Sequence, residues 1–178
     1  MSTLDYLGIG SNINRDNAVL FALEKLRPLF KEFKVSPVYE SKAVREAEPD
    51  YYNLCVGGST ELSMEDLYNE IVKIEGEAGA ELMIHNSTNF GLKHRVDIDI
   101  LTYGNEVRED PCKVPRHDIQ DYPFVNIPLN DIAPELVHPI LGLPVSELNE
   151  QMVPHIPEGR RVVKVPFDTK RKFTSWGN

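Results

Sequence analysis

Two apolar stripes at three- and four-residue spacing constrain this chain most: Val19, Ala22, Leu26, Leu29 and Phe33 form one, and Leu67, Ile71, Ile74 and Ala78 the other. Each describes a helix that needs an apolar surface to lie on. The runs between them follow a period of two. Residues 51–60 place Tyr52, Leu54 and Val56 on one face and Tyr51, Asn53 and Cys55 on the other, and Val96, Ile98 and Ile100 alternate with Asp97 and Asp99. Residues 4–9 read as a strand closed by a tight turn at Gly10, Ser11 and Asn12, and 35–41 as a β-rich strand. Asn14 stands where it can cap the first helix, and Pro28 where it distorts that helix. Ser63-Met64-Glu65-Asp66 is a capping box for the second helix, with Gly79 as its stop.

The order strand, helix, strand, strand, helix, strand predicts an α+β fold: a ferredoxin-like β-α-β-β-α-β sandwich with an antiparallel sheet and C-terminal additions. Both helices are expected on one face of the sheet, leaving the other free. Residues 42–50 and 79–94 read as loops, 111–144 as proline-punctuated helical turns, 144–152 as a small helix and 162–165 as a short strand. The 178 residues, 41% of them hydrophobic, suffice for one core without disulfide or structural metal. We take 1–155 as the domain and 156–178 as a basic C-terminal extension, because the first stretch sums to −13 and the second to +4.

A net charge of −9 makes general nucleic-acid binding unfavourable. No uncharged run reaches the length of a membrane span, and the first ten residues lack a signal-peptide pattern. The expectation is a cytoplasmic protein with Cys55 and Cys112 as reduced thiols. The histidines have no zinc-ligand spacing, and neither a phosphate-loop motif nor a nucleophile elbow occurs. Gly8-x-Gly10 more often marks a turn than a phosphate cradle.

Asp97 and Asp99 are the sharpest chemical feature. Two residues apart on a strand, their carboxylates project from one face about 6.6 Å apart, which suits Mg²⁺ carrying a phosphate substrate. A merely solvated strand face is the bland alternative. Asn53 offers donor and acceptor side by side for the edge of a nitrogen heterocycle, with Tyr51 beside it; a core amide satisfying a backbone group is its alternative. Lys93, His94 and Arg95 before the acid pair, and Lys113, Arg116 and His117 after it, can neutralise a polyphosphate or simply balance surface acids.

Taken together, several segments resemble the 6-hydroxymethyl-7,8-dihydropterin pyrophosphokinase family. They are Gly10-Ser11-Asn12, Tyr39 with Ser41, Asp50-Tyr51-Tyr52-Asn53, Thr60, Ile74-Glu75, Phe90-Gly91, Asp97-Ile98-Asp99, Tyr103-Gly104-Asn105-Glu106-Val107, Val114-Pro115, Phe124, Pro128-Leu129 and Ile132-Ala133-Pro134-Glu135-Leu136. The likeness runs over residues 4–140. It implies a ferredoxin-like core and Mg²⁺-dependent transfer of diphosphate from ATP to a reduced pterin in folate biosynthesis, with two Mg²⁺. By the same resemblance Asp97 and Asp99 hold the metal and Arg116 falls near the nucleotide; Lys93, Arg95 and Arg116 are taken as catalytic with the acids because their charge can stand in for arginines that the family has and this chain lacks. Asn53, Tyr51, Ser41, Phe90 and Phe124 bind pterin, Phe90 standing where the family has Trp, and Glu75, Ile100, Lys113 and His117 line the nucleotide.

The chain departs from the family on the phosphate side. Gly-Arg-x-Arg is here Gly79-Ala80-Glu81-Leu82, Val-Pro-His is Val114-Pro115-Arg116, Tyr122 replaces a later arginine, and one extra residue precedes the acid pair. Lys93, Arg95 or Arg116 can replace the lost charge, as can the tail residues Arg160, Arg161, Lys164, Lys170, Arg171 and Lys172. The alternative function is a catalytically altered or inactive pterin-binding homologue acting on another heterocyclic alcohol. A ferredoxin-like module stacking nucleic-acid bases is a third reading, opposed by the acidic face.

Overall fold

The computed structural model describes residues 2–43, 47–79 and 93–177. Strand β1 (Thr3–Ile13) continues through Gly10 where a turn is expected. Gly10 is in register with Asn53 on one neighbouring strand and Asp97 on the other, and Gly8 with Cys55 and Asp99. A strand glycine can mark close approach instead of a turn, and the irregularity falls later, between Gly10 and Ile13.

Helix α1 (Arg15–Leu26) starts from Asn14, which is left-handed at φ 51°. The Asn14 side chain does not cap the helix; its amide donates to the Trp176 carbonyl at 2.6 Å. The expected stripe breaks at Leu26, because Pro28 lacks the N–H a continuing helix needs. Arg27–Leu29 form a 3₁₀ turn, and Phe33 belongs to β2 (Lys31–Val35), stacked on Phe30 at 5.7 Å. The single strand expected over 35–41 is therefore two, β2 and β3 (Tyr39–Ser41), separated at Ser36-Pro37-Val38. There the Ser36 hydroxyl accepts from the Cys55 N–H at 2.9 Å.

Strand β4 (Tyr51–Thr60) has the span read from its alternation. Helix α2 (Met64–Glu77) is capped by Ser63, whose Oγ accepts from the Asp66 N–H at 3.1 Å. Just beyond it Gly79 sits at φ 94°, which glycine adopts without cost. Strand β5 (Arg95–Tyr103) completes the core motif. The sheet runs β5-β1-β4-β3-β6, where β6 is Val163–Lys164, with β2 also on β4 and every pair antiparallel. Leu7, Ile9, Leu54, Val56, Val96, Ile98 and Ile100 pack beneath α1 and α2.

The second face is not free as expected. Helices α3 (Asp118–Asp121), α4 (Pro123–Ile132) and α5 (Val145–Met152) cover part of it, burying Tyr6, Cys55 and Leu101 with Ile119, Val125 and Leu129. Apolar side chains on that face require a cover, because each exposed one forfeits about 1.5–3 kcal/mol of burial. The end of the face carrying Asp97 and Asp99 stays partly open, with those side chains 34% and 46% exposed. Along the sheet's far edge β6 (Val163–Lys164) pairs with β3, and Val165, Phe167, Phe173 and Trp176 pack against the helix-side core. Among the described residues no helix is long and apolar enough to cross a membrane.

One buried charge sets a pH dependence. Asp5 is fully buried; Oδ1 accepts from the Gly104 N–H at 3.2 Å, and Oδ2 has no partner among the described residues. Burial pushes its carboxyl from 3.8 up to about 8, against the pull of the Gly104 hydrogen bond. The folded chain keeps this proton where the unfolded chain has lost it, so unfolding releases a proton between those values. Asp5 therefore contributes most stability below pH 3.8, and that contribution declines as pH rises to about 8. Asp5→Asn should flatten this part of the profile and leave the variant about 1–3 kcal/mol more stable than the parent near pH 8. Denaturant unfolding from pH 5 to 8 measures it, and an unchanged slope refutes the assignment.

Candidate active site

Three antiparallel strands set out the site in one row. Asn53 on β4, Gly10 on β1 and Asp97 on β5 are register partners across the sheet, so Asn53 and Asp97 lie two strand spacings apart, about 10 Å. Between them Gly10 offers no side chain, and a Cβ there would stand 3.3 Å from Asn53 Oδ1 and 3.7 Å from the Tyr51 ring. The glycine pair read as a turn is thus the floor between an amide and two carboxylates. A glycine doublet spaced by two inside a β-pattern was the available signal; its side-by-side reading with Asn53 and Asp97 requires the strand order.

On the amide side, Asn53 is buried and its Nδ2 donates to Ser41 Oγ at 2.6 Å. That bond fixes the ring-facing end of the carboxamide. Ser41 pairs with Tyr51 across β3 and β4, which brings all three named side chains to one corner. Phe124, half-buried against the second core, stacks on Tyr122 with centroids 5.0 Å apart and planes 16° from parallel. Tyr122, which stands where the family has an arginine, thus backs an aromatic wall. Phe90 lies outside the described residues.

On the acid side, Val96, Ile98 and Ile100 turn into the core and Asp97 and Asp99 away from it. Arg95 holds Asp97 through Nη2 at 2.9 Å and Nε at 3.1 Å. Arg116 approaches Asp99 at 3.6 Å and Asp118 at 3.3 Å, while its own Nε is buried without a partner among the described residues. Desolvation raises the pKa of both acids; Arg95 opposes this at Asp97, and Arg116 at Asp99, where Asp118 and Asp97 add to the rise. A pair of oxygen donors on one face, whose ionisation burial opposes, fits Mg²⁺ well: the ion accepts one or two carboxylates plus phosphate oxygens and favours their charged form. Among the described residues no third His, Cys, Asp or Glu completes an all-protein metal cage.

The remaining candidates separate. Glu75 reaches from α2 to accept from the Ile98 N–H at 2.8 Å, sealing the outer edge of β5; burial raises its carboxyl to about 7, and the charges of Asp97 and Asp99 add to the rise. The Ile100 side chain is buried in the core, leaving only backbone at that edge strand. Lys93 and Lys113 are exposed. His117 is exposed and engages Asp121 at 2.9 Å. Neither lysine nor His117 is within ion-pair distance of the acid pair; among the described residues Arg95 and Arg116 are the cations there. The tail's anchoring rings lie on the helix side of the sheet, away from Asp97 and Asp99. Sequence reading passed over Asp118, which is buried and holds Arg116, and Ser11, whose Oγ donates to the Arg95 carbonyl at 2.6 Å.

The geometry has known counterparts. A family model described as 7,8-dihydro-6-hydroxymethylpterin-pyrophosphokinase matches residues 6–134. The 2-amino-4-hydroxy-6-hydroxymethyldihydropteridine pyrophosphokinase of Aquifex aeolicus is 36% identical over 149 residues, covering 82% of this chain and 90% of its own length. The enzyme of the same name from Haemophilus influenzae is 34% identical over 155 residues, covering 84% and 93%. Among solved structures, Plasmodium falciparum HPPK-DHPS matches with a TM-score of 0.66 at 17% identity, a likeness of fold; it covers 89% of this chain, which spans 44% of that longer one.

Proposed function

This chain belongs to the 7,8-dihydro-6-hydroxymethylpterin-pyrophosphokinase family, and from that premise we propose that it transfers diphosphate from ATP to 6-hydroxymethyl-7,8-dihydropterin in the folate pathway of the cytoplasm. The observation that carries this reading is the Asn53–Gly10–Asp97 row, which sets a heterocycle-reading amide and a carboxylate pair about 10 Å apart across a strand position that has no side chain. A flat bicyclic ring fits over Gly10, with its polar edge at Asn53 and its substituent directed at the acids. Phe124 and Tyr51 supply faces for it.

Asp97 and Asp99 would hold Mg²⁺, in our reading two ions. When bound, the metal neutralises phosphate oxygens and makes the β-phosphorus more electrophilic. The pterin hydroxyl oxygen forms a bond to that phosphorus in line with the departing AMP, the bond between the α,β-bridging oxygen and the β-phosphorus breaks, and the hydroxyl proton passes to solvent. Arg95 and Arg116 stand where charge develops and take the place of the family arginines this chain lacks. Positioning and charge neutralisation carry most of such a reaction, so no strong general base is assigned.

The assay is direct. With ATP, Mg²⁺ and hydroxymethyldihydropterin the protein should form AMP and the pterin diphosphate in equal amounts, and chelating the metal should stop both. Pterin binding without AMP formation would instead favour the binding-homologue reading.

A further inference from the structure

The C-terminal segment ends at the start of the strand that bears the acid pair. Trp176 stacks on His94 with ring centroids 3.8 Å apart and planes 11° from parallel. Its indole also packs on Phe21 at 4.7 Å and on Phe173 at 5.0 Å, and Phe173 meets Phe21 at 5.2 Å. Phe21 of α1 and Phe173 of the tail thus back the indole that lies on the histidine preceding β5. The Trp176 carbonyl is held as well, accepting from Asn14 Nδ2 at 2.6 Å and Asn17 Nδ2 at 3.4 Å. Asn14 adopts its left-handed backbone at this point, which a non-glycine residue rarely does without support from its surroundings.

The clamped histidine leads straight to the site. His94 Nδ1 contacts the Ala78 carbonyl at 3.1 Å, so the ring lies between the end of α2 and the indole. The next residue, Arg95, has its carbonyl fixed by Ser11 and its guanidinium on Asp97. His94 thus stands one peptide unit from the residue that holds the Asp97 carboxylate. Among the described residues the tail's aromatic rings pack on the helix side of the sheet, while Lys164 lies over the Tyr39 ring, 5.9 Å from its centroid, on the face that bears Asn53.

We propose that Trp176 is a positioning residue for Mg–ATP, acting through His94 and Arg95 on Asp97. The proposal rests on the function given above. Groups that orient a metal ligand from behind typically change metal affinity or activity about 10- to 100-fold when removed. Trp176 acts one step further back, so Trp176→Ala should raise KM for Mg–ATP about 10-fold while kcat and the affinity for pterin stay within about twofold.

The test pairs kinetics with calorimetric binding of a non-hydrolysable ATP analogue in the presence of Mg²⁺. In Trp176→Ala the dissociation constant for the analogue should rise in step with KM. Trp176→Phe, which keeps a stacking ring, should restore most of the loss. His94→Ala should give the same shift, and the double variant no more than either single one. Unaltered nucleotide affinity in Trp176→Ala overturns the proposal. So does a fall in thermal stability accompanied by equal losses of pterin and nucleotide binding, which is the mark of a purely structural tail. Parent protein that makes no AMP would defeat the functional reading, whereas active parent with an indifferent Trp176→Ala defeats only this inference.

Discussion

Asp97→Ala and Asp99→Ala are each expected to lower kcat/KM by about a thousandfold or more while leaving the fold intact. Their side chains are 34% and 46% exposed, on the sheet face opposite the apolar core, so truncation opens no cavity. Burial is the main cause of the raised pKa of both carboxylates, with the charges of Asp118 and Asp97 adding to it at Asp99, so replacing either acid removes a desolvated charge. The thermal midpoint should therefore hold or rise slightly, and this opposition of stability and activity identifies a functional charge pair. Asp97→Asn and Asp99→Asn, near in shape, should be almost as damaging, because a neutral amide gives a divalent cation much weaker coordination. Initial rates over a Mg²⁺ titration, alongside calorimetric unfolding, measure both effects. An alanine variant that keeps the parent's rate and metal dependence would remove these acids from the reaction.

The second large effect concerns the floor. A valine at position 10 would be a good strand former, yet its Cβ alone would press to 3.3 Å from Asn53 Oδ1, and its methyl groups would occupy the strip between Asn53 and Asp97. Gly10→Val should lower pterin affinity about a hundredfold, because the ring loses both its place and the orientation that the Asn53–Ser41 bond gives the amide. Nucleotide affinity should change far less. Pterin titration by calorimetry, with Mg–ATP binding as the internal control, separates this from unfolding. Equal losses of both ligands would mean that the sheet had rearranged, and unimpaired pterin binding would place the ring elsewhere.

Neither effect follows from local sequence alone, although the residues are all visible there. Alternation over 51–60 and 95–103 is a local property, so the strands, and the outward direction of Asp97 and Asp99, were legible from the residues. The Ser63 cap and Gly79 stop were legible for the same reason: a helix end is satisfied by its immediate neighbours. Errors arose where a distant segment decided the outcome. Asn14 gives its side chain to a carbonyl 162 positions away instead of to its own helix. Gly8 and Gly10 stay in a strand because β4 and β5 pair with it on both sides. The helix expected through Phe33 ends at Leu26, since a missing N–H at Pro28 and pairing of β2 with β4 outweigh a continuing stripe.

Charge shows the same division. From the residues, Lys93, Arg95, Arg116 and six tail cations were all candidates to replace the missing arginines. Side-chain reach is settled by the fold, and it brings Arg95 and Arg116 to the acids while the tail's apolar rings anchor on the far side of the sheet.

The amino-acid order by itself determined the succession of strands and helices, the two faces of β4 and β5 and the ends of α2, because these depend on spacing within about ten positions, and it also carried the family's residues. Tertiary structure alone decided which strands became neighbours. It thereby converted two glycines into a binding floor, selected two cations from many, and carried the chain's end to the strand that bears the acids. Those outcomes depend on through-space distances between segments far apart in the chain, which no local periodicity encodes.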